Sequence, residues 1–243
     1  MSKKLVIIPT YNERENIEPM IRSVMEVLPD THMLIVEDNS PDGTADLVEQ
    51  MIPRYPGRLF IEKRPGKQGL GTAYIFGFRW AIERQYDYIF EMDADFSHNP
   101  KALPTLLRPL EEEGYDMTIG SRYVNGVNVV NWPMGRVLMS YYASAYVRLI
   151  TRMPIRDATA GFKCYSRPVL ERVLADPIKF VGYAFQIEMK FRAWRYGFRI
   201  KEVPIIFRDR TRGESKMSRK IFKEAIFGVM KMKINSWFRK WER

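Results

Sequence analysis

The sequence predicts an α/β protein with a mostly parallel central sheet and helices on both faces of that sheet. Short apolar runs rich in β-branched residues alternate with longer segments of helical periodicity, and short loops join them. Five such runs alternate with four helical segments before Gly120. Acidic residues stand directly after several of the runs, at the strand ends where open α/β sheets bind ligands. With 243 residues and 46% hydrophobic content, the chain suits one sizeable domain.

The first half of the chain carries the regular alternation of strands and helices. The first helix has apolar residues at Ile17, Ile21 and Val24, a spacing that places them on one face. We expect Thr44 to cap the second helix, over residues 44–54, because its hydroxyl can accept a hydrogen bond from the first turn. The third predicted helix ends at residue 84, and the fourth covers residues 101–112. The predicted strands cover residues 4–8, 32–36, 58–61, 86–92 and 116–120.

The second half of the chain is less regular. A polar loop over residues 122–132 precedes a helix over residues 134–150, on which Arg136 and Ser140 lie one turn apart. Pro204 indicates an edge position for the strand that contains it, since proline cannot donate to a strand ladder. The remaining predicted elements are a turn at 157–162, strands at 163–165 and 199–207, a helix at 185–196, a basic loop at 208–216 and a basic amphipathic helix from residue 221 onward.

The most chemically informative stretch lies at the end of the fourth predicted strand, where two carboxylates stand one residue apart. Asp93 and Asp95 are hard oxygen donors, and such a pair suits Mg²⁺ or Mn²⁺ with phosphate in the remaining coordination sites. A strand-to-helix loop with two solvated carboxylates is the alternative. A calcium-binding loop is disfavoured, because His98 replaces the glycine of its tight turn and Pro104 replaces its bidentate Glu. The glycines near residue 70 match neither a Walker A motif nor a dinucleotide fingerprint.

Charge and cysteine content narrow the possible partners. The formal net charge is +10, and residues 216–243 hold nine Lys or Arg against two Glu, which indicates an anionic partner surface. A nucleic-acid-binding protein is disfavoured, since the chain has no zinc-finger spacing, RNP motif or recognition-helix pattern. The lone Cys164 excludes an internal disulfide and fits a reducing compartment. No apolar run approaches the roughly 20 residues of a membrane-spanning helix, so we expect a soluble or peripheral protein.

A series of short motifs extends from the first strand to the basic loop. They are Ile8-Pro-Thr-Tyr-Asn-Glu13, Val36-Glu-Asp-Asn-Ser-Pro-Asp-Gly43, Gly66-Lys-Gln-Gly-Leu-Gly71, Met92-Asp-Ala-Asp-Phe-Ser-His98, Gly120-Ser-Arg-Tyr123, Asp157-Ala-Thr-Ala-Gly-Phe162, Gly182-Tyr-Ala-Phe-Gln186 and Arg210-Thr-Arg-Gly-Glu-Ser-Lys216. In this order the chain resembles the family 2 inverting glycosyltransferases and, within them, the dolichyl or polyprenyl phosphate mannose synthases. The resemblance implies a Rossmann-like nucleotide-sugar glycosyltransferase fold of the GT-A type, with a catalytic domain over residues 1–216 and the basic helix over residues 217–243.

The resemblance also implies an activity and a set of site residues. The activity is the transfer of mannose from GDP-mannose to a polyprenyl or dolichyl phosphate, with inversion and with Mg²⁺ or Mn²⁺ as cofactor. The implied nucleoside-binding residues are Pro9, Tyr11, Glu13, Val36 and Asp38. The implied diphosphate and metal residues are Asp93, Ala94 and Asp95, with Ser97 at the third metal-ligand position. Arg122, Arg210 and Lys216 are implied to clamp the donor diphosphate and the acceptor phosphate, and Arg136 and Ser140 are implied to meet the lipid phosphate. Asp95 and Arg122 are the implied catalytic residues.

The chemistry of such a transfer requires few catalytic side chains. A phosphate monoester has a second pKa of about 6, so the acceptor is already a dianion at neutral pH and needs no general base. This fits a chain whose two histidines are His32, in a predicted strand, and His98. The departing nucleoside diphosphate does need stabilisation, which a divalent cation and Arg or Lys side chains provide.

The sequence leaves alternatives for the activity and for the role of the basic helix. A polyprenyl phosphate glucosyltransferase that uses UDP-glucose is an alternative, because purine and pyrimidine bases both stack in such pockets. A second alternative is a nucleotide-binding protein without catalytic activity that acts as a partner of another protein. We expect the basic helix to lie in a membrane interface, with Phe222, Ile226, Val229, Met230, Trp237 and Trp241 roughly on one side and Lys or Arg at anionic headgroups. Packing on the core or on a membrane-protein partner is its alternative. The expected location is peripheral, on the cytoplasmic face of a membrane.

Overall fold

The computed structural model describes residues 2–180, 182–209 and 219–242. The strands are β1 (Lys4–Thr10), β2 (Thr31–Glu37), β3 (Leu59–Lys63), β4 (Tyr88–Glu91), β5 (Met117–Ser121), β6 (Val129–Val130), β7 (Lys163–Ser166), β8 (Ile200–Pro204) and β9 (Phe207–Arg208). The helices are α1 (Arg14–Val27), α2 (Thr44–Met51), α3 (Leu70–Glu83), α4 (Leu103–Glu112), α5 (Met134–Thr151), α6 (Arg167–Leu174), α7 (Tyr183–Arg195) and α8 (Arg219–Trp237).

The main sheet brings the ends of several strands to one edge. Within the described ranges its strand order is β3-β2-β1-β4-β7-β5-β8, and β6 pairs with β9 separately. Strands β1 to β4 are mutually parallel, β7 is antiparallel to β4 and β5, and β8 is parallel to β5. The segment before β7 therefore lies at the same edge as the segments that follow β1, β2, β4 and β5. The predicted mostly parallel sheet is confirmed.

An apolar core lies on each face of the sheet. In β1, Leu5 and Ile7 pack on the face covered by α3, whereas Val6 and Ile8 pack on the face covered by α1 and α4. This alternation follows from the two-residue period of a strand that is covered on both sides. Helix α3 approaches β1 closely at Gly77, where a Cβ atom would lie 2.7 Å from Ile7 Cγ2.

Several local predictions need correction. Gly43, with φ of 81°, precedes α2, and Thr44 is the first helical residue. The Thr44 hydroxyl instead accepts a hydrogen bond from the Glu13 backbone and donates one to Asp42. The strand predicted at 199–207 is divided into β8 and β9, and Pro204 ends β8 at the edge of the sheet, as predicted. Helix α6, which follows β7 directly, was not predicted from the sequence.

Helix α8 has apolar side chains on two opposite faces. Val229 and Met232 are buried in the core, whereas Phe227 and Trp237 are exposed, as is Phe238 just beyond the helix. The prediction that Val229, Met230 and Trp237 lie roughly on one side of this helix is therefore wrong, because Val229 is buried whereas Met230 and Trp237 are exposed. Beyond the helix, Trp241 packs against the rings of Phe191 and Tyr196, so it belongs to the core. The side chains of Phe222 and Ile226 lie outside the described set. None of the described helices combines the length and apolar character that crossing a membrane requires.

Candidate active site

The two carboxylates that follow β4 are held by neighbouring hydroxyl and amide groups. The Tyr74 hydroxyl donates to Asp93 Oδ1 at 3.0 Å. The Ser97 backbone N–H donates to Asp95 Oδ1 at 3.0 Å, and the Ser97 hydroxyl donates to the same oxygen. Phe96 between them has φ of 58°, a conformation that bulky side chains rarely adopt. This left-handed residue turns the chain so that Ser97 faces Asp95.

His98 supports the same loop from the protein interior. Its Nδ1 accepts a hydrogen bond from the Asp93 backbone N–H at 3.2 Å and lies 3.9 Å from Asp93 Oδ2. The imidazole is buried, stacks on Phe162 at a centroid distance of 4.9 Å and meets the ring of Phe207 edge-on. The imidazole therefore holds the backbone of the acidic loop in place through a hydrogen bond from the Asp93 N–H.

The residues predicted to bind the nucleoside lie at the carboxyl ends of β1 and β2. Pro9 pairs with Val36 in the sheet, and the Val36 side chain is fully buried in the core. Asp38 is buried in a forked ion pair, with Arg64 Nε 2.6 Å from Oδ1 and Arg64 Nη2 2.7 Å from Oδ2. Tyr11 and Glu13 stand in the neighbouring loop after β1, with the Lys67 ammonium over the Tyr11 ring at 4.9 Å and Glu13 accepting from Asn16.

Arg122, directly after β5, is held in a buried fork by Asp157. Arg122 Nε donates to Asp157 Oδ2 at 2.7 Å, Nη2 donates to Oδ1 at 2.6 Å, and Nη2 also donates to the Thr159 hydroxyl. Burial acts to raise the pKa of Asp157, but the Arg122 guanidinium outweighs it and holds that pKa below the ordinary 3.8. The Asp157 segment is anchored in turn by Lys190, whose ammonium donates to the carbonyls of Ala158 and Ala160.

A second arginine reaches the same place from α5. The guanidinium of Arg136 lies 4.1 Å from the ring centre of Trp132, and that of Arg122 lies 5.4 Å from it. Arg136 also forms an ion pair with Asp209 at 2.8 Å. The indole N–H of Trp132 is buried and has no hydrogen-bond partner among the described residues. A buried donor without an acceptor is costly, so a ligand oxygen at this position would be stabilised.

Two aromatic side chains complete the surroundings of these arginines. The Tyr123 hydroxyl is buried, which raises its pKa, while the neighbouring Ser140 hydroxyl acts in the opposite direction. The Phe207 ring lies 5.2 Å from Trp132, 5.6 Å from His98 and 5.5 Å from the Arg122 guanidinium. Phe207 therefore connects the arginine cluster (Arg122, Arg136 and Trp132) with the acidic loop after β4.

A buried polar network lies beneath the acidic loop. Lys163 in β7 faces Glu91 in β4, with Nζ 2.9 Å from Oε2, and both side chains are fully buried. Gln186 of α7 bonds to both partners, and Tyr165 donates to Glu91 Oε2 at 3.1 Å. Burial lowers the pKa of Lys163, and the Glu91 carboxylate opposes that shift. The network joins β4, β7 and α7 below the crevice.

The donor set at the acidic loop fits a divalent cation that binds together with a diphosphate. Asp93 and Asp95 supply carboxylate oxygens, and Mg²⁺ is commonly held by one or two carboxylates plus substrate phosphates. Within residues 2–180, 182–209 and 219–242, no group of three His, Cys, Asp or Glu side chains could form a complete protein cage. Asp93 and Asp95 would leave other coordination sites of such a cation open for phosphate and water.

The structure brings most of the predicted site residues to one edge of the sheet, and it adds others. Arg210 and Lys216 lie outside the described residues, and their roles stay predictions. Residues that the sequence did not single out include Arg64, Tyr74, Trp132, Asp157 and Lys190. Asp157 belongs to the motif at residues 157–162, to which the sequence analysis assigned no function. That motif could have pointed to Asp157 as a site residue. No comparable signal pointed to Tyr74, which has the appearance of an ordinary core residue of α3.

The fold and the site together define a class of protein, namely enzymes built on a nucleotide-sugar glycosyltransferase fold. The sequence pattern described as "Glycosyl transferase family 2" matches residues 5–174. The chain therefore belongs to glycosyl transferase family 2, and it is a glycosyltransferase. This confirms the resemblance that the motifs indicated.

Two relatives and one solved structure illustrate the similarity. A polyprenol monophosphomannose synthase of Mycolicibacterium smegmatis is 44% identical over 227 residues, which cover 93% of this chain and 85% of the relative. An undecaprenyl-phosphate mannosyltransferase of Micrococcus luteus is 44% identical over 225 residues, covering 93% and 91%. The fold matches that of glucosyl-3-phosphoglycerate synthase of Mycobacterium tuberculosis, crystallised with Mg²⁺ and uridine diphosphate. Its TM-score is 0.67 at 18% identity, and the match covers 96% of this chain and 79% of that one.

Proposed function

We propose that this enzyme transfers mannose from GDP-mannose to a polyprenyl phosphate, with inversion and with the help of Mg²⁺ or Mn²⁺. The observation that carries the proposal is the placement of the arginine cluster beside the acidic pair, with Phe207 in contact with both regions. One region suits a metal-bound diphosphate and the other suits a phosphate acceptor. The names of the two 44% identical relatives, a polyprenol monophosphomannose synthase and an undecaprenyl-phosphate mannosyltransferase, support the same activity.

On the donor side, Asp93 and Asp95 would hold the cation, with Ser97 at a third position or holding Asp95 in place. When bound, the cation supplies positive charge that stabilises the departing diphosphate. Pro9, Tyr11, Glu13, Val36 and Asp38 form the proposed nucleoside pocket. The Val36 side chain is buried, so Val36 can contact the nucleoside through its backbone. Asp38 can contact it through its carboxylate, which the ion pair with Arg64 holds in a fixed orientation.

On the acceptor side, Arg122, Arg136 and the Trp132 indole N–H surround the proposed position of the lipid phosphate, and Ser140 stands beside Tyr123. Guanidinium groups bind phosphate oxygens through paired, charge-assisted hydrogen bonds. The acceptor needs no general base, because a phosphate monoester is largely a dianion at neutral pH. His98 is consistent with this, since its Nδ1 is engaged by the Asp93 backbone. Arg210 and Lys216 remain predicted members of the same cationic set.

The proposed acceptor is a lipid, and the protein has a surface that suits a membrane. Helices α5 and α8 pack against each other, and each leaves apolar side chains exposed. The exposed Lys231 of α8 and the exposed Lys240, just beyond the helix, accompany these apolar residues. A helix with an apolar outer face and basic flanks binds the interface of an anionic bilayer. We infer peripheral binding to the cytoplasmic face of a membrane. A membrane-protein partner on the same surface is the alternative that the experiment below distinguishes.

The activity is tested by incubating the purified protein with radiolabelled GDP-mannose, Mg²⁺ or Mn²⁺ and a polyprenyl phosphate, followed by solvent extraction of the lipid. Labelled lipid is the expected product, and its formation should stop when a chelator removes the cation. A parallel reaction with UDP-glucose tests the glucosyl donor. Absence of labelled lipid with GDP-mannose, or transfer from UDP-glucose alone, would contradict the proposal.

Replacing Phe238 by Ala is expected to weaken binding to anionic vesicles by about tenfold, because this exposed ring contributes buried apolar area on a membrane. Phe238 is 85% exposed, so its removal leaves the core intact. The measurement is sedimentation with phosphatidylglycerol–phosphatidylcholine vesicles. Phe76→Ala, which removes an exposed ring from α3, is the matched control and should bind as the unmodified protein does. Equal binding of both variants would argue against the membrane surface. Truncating α8 is a poorer test, because Val229 and Met232 belong to the core.

A further inference from the structure

Tyr74 contacts the acidic loop from inside the protein. Its hydroxyl donates to Asp93 Oδ1 at 3.0 Å, and the whole tyrosine side chain is buried. The Asp93 side chain is 37% exposed. One oxygen of a partly accessible carboxylate is therefore held by a group that a ligand cannot reach. The sequence assigns no role to this tyrosine, and the reaction itself has no use for a buried phenol.

The direction of the Tyr74 hydroxyl is determined by the aromatic rings around it. The Tyr74 ring lies parallel to Phe185 of α7, with an interplanar angle of 2° and a centroid distance of 6.2 Å. On α3 itself, Phe78 stacks at 6.0 Å and 23°. A ring packed between two others in a close-packed core cannot change its rotamer without displacing them. Helices α3 and α7 therefore fix where this hydrogen bond points.

We propose that Tyr74 is a positioning residue that orients the Asp93 carboxylate for a divalent cation bound with a nucleoside diphosphate. The inference rests on the proposed function, since it assumes that Asp93 is a metal ligand. Groups that hydrogen-bond to a ligating carboxylate fix its orientation, and their loss typically lowers metal affinity or activity by about 10- to 100-fold. An Asp93 without this restraint would sample more rotamers and would lose entropy on binding the cation.

A second buried tyrosine provides a matched control. Tyr165 of β7 is also fully buried, and its hydroxyl donates to Glu91 Oε2 at 3.1 Å. Glu91 is two residues before Asp93 in the chain, but it is fully buried and paired with Lys163. Tyr74→Phe and Tyr165→Phe therefore each remove one buried hydroxyl that donates to a carboxylate. Only the first substitution affects a carboxylate that a ligand can reach.

The test measures Mn²⁺ binding to the purified full-length protein in the presence of GDP, from the electron paramagnetic resonance signal of unbound Mn²⁺. We expect Tyr74→Phe to raise the Mn²⁺ dissociation constant about tenfold or more and Tyr165→Phe to change it less than about twofold. Both variants should lose a similar amount of thermal stability. In the transfer reaction, Tyr74→Phe should raise the Mn²⁺ concentration needed for half-maximal rate, and excess Mn²⁺ should restore most of kcat.

The outcomes separate the inference from the function on which it rests. Unchanged Mn²⁺ affinity in Tyr74→Phe, or an equal loss in Tyr165→Phe, would overturn the positioning role while leaving the proposed function standing. If the unmodified protein itself bound no Mn²⁺ with GDP, the metal dependence of the proposed function would fail together with the inference.

Discussion

Asp95→Ala is expected to lower the rate of lipid-linked mannose formation by on the order of 10³-fold while the fold is retained. Asp95 stands in the loop after β4, where it accepts hydrogen bonds from Ser97, and we expect the substitution to change this loop and leave the sheet in place. The loss comes from a weaker hold on the cation that neutralises the departing diphosphate. The measurement is transfer of radiolabelled mannose to polyprenyl phosphate, together with a thermal melt.

Asp30→Ala is the matched control for this prediction. Asp30 is exposed and stands just before β2, at the opposite edge of the sheet from the acidic loop. It should transfer mannose at the unmodified rate. An Asp95→Ala protein that melts normally and keeps more than about a tenth of the activity would show that Asp95 is not part of the catalytic machinery.

Arg122→Met is expected to destabilise the protein by about 3 kcal/mol at neutral pH and to abolish transfer. The substitution leaves the carboxylate of Asp157 fully buried without its guanidinium partner, and losing one member of a buried ion pair is strongly destabilising. The free energy of unfolding in urea measures the effect. Arg108→Met, at an exposed position of α4, is the control and should change stability by less than about 0.5 kcal/mol.

The pH dependence of Arg122→Met tests the electrostatic cause. In the unmodified protein the pKa of Asp157 is below 3.8, so its contribution is fully present above that pH and is lost as the pH falls through the lower folded value. Without Arg122, burial would raise this pKa above its unfolded value. In the variant, the buried Asp157 would then be more stable in its protonated form. The difference in the free energy of unfolding between the unmodified protein and the variant should therefore shrink as the pH falls from 7 towards 5. A deficit that is constant or grows on acidification would contradict the ion-pair explanation.

The strand pattern and the acidic loop could be predicted from the sequence because both depend on neighbouring residues. Leu5 to Ile8 form a continuous apolar run, which is the pattern of a strand covered on both faces. Asp93 and Asp95 follow such a run, so their position at the carboxyl edge of the sheet follows from the strand alone. The two-sided core of β1 agrees with this prediction.

The position of β7 between β4 and β5 could not be predicted from the pattern of neighbouring residues in the sequence. The sequence predicts a strand at residues 163–165, but these residues carry no information about which strands it pairs with or in which direction. That pairing brings Lys163 opposite Glu91 and places Asp157 beside Arg122. Helix α8 shows the same limit, because apolar residues on two faces resemble one broad stripe in the sequence until the core is known.

By itself, the sequence determined the fold class, the family and the acidic pair, since these reside in runs and motifs of adjacent residues. Only the tertiary structure decided how the site is supported. Three contacts of the site join residues that are distant in the chain. They are the paired hydrogen bonds from Arg122 to Asp157, the packing of the arginine cluster around Trp132, and the hydrogen bond from Tyr74 to Asp93. The physical reason is that such contacts depend on strand order and on helix packing, which are properties of the whole core.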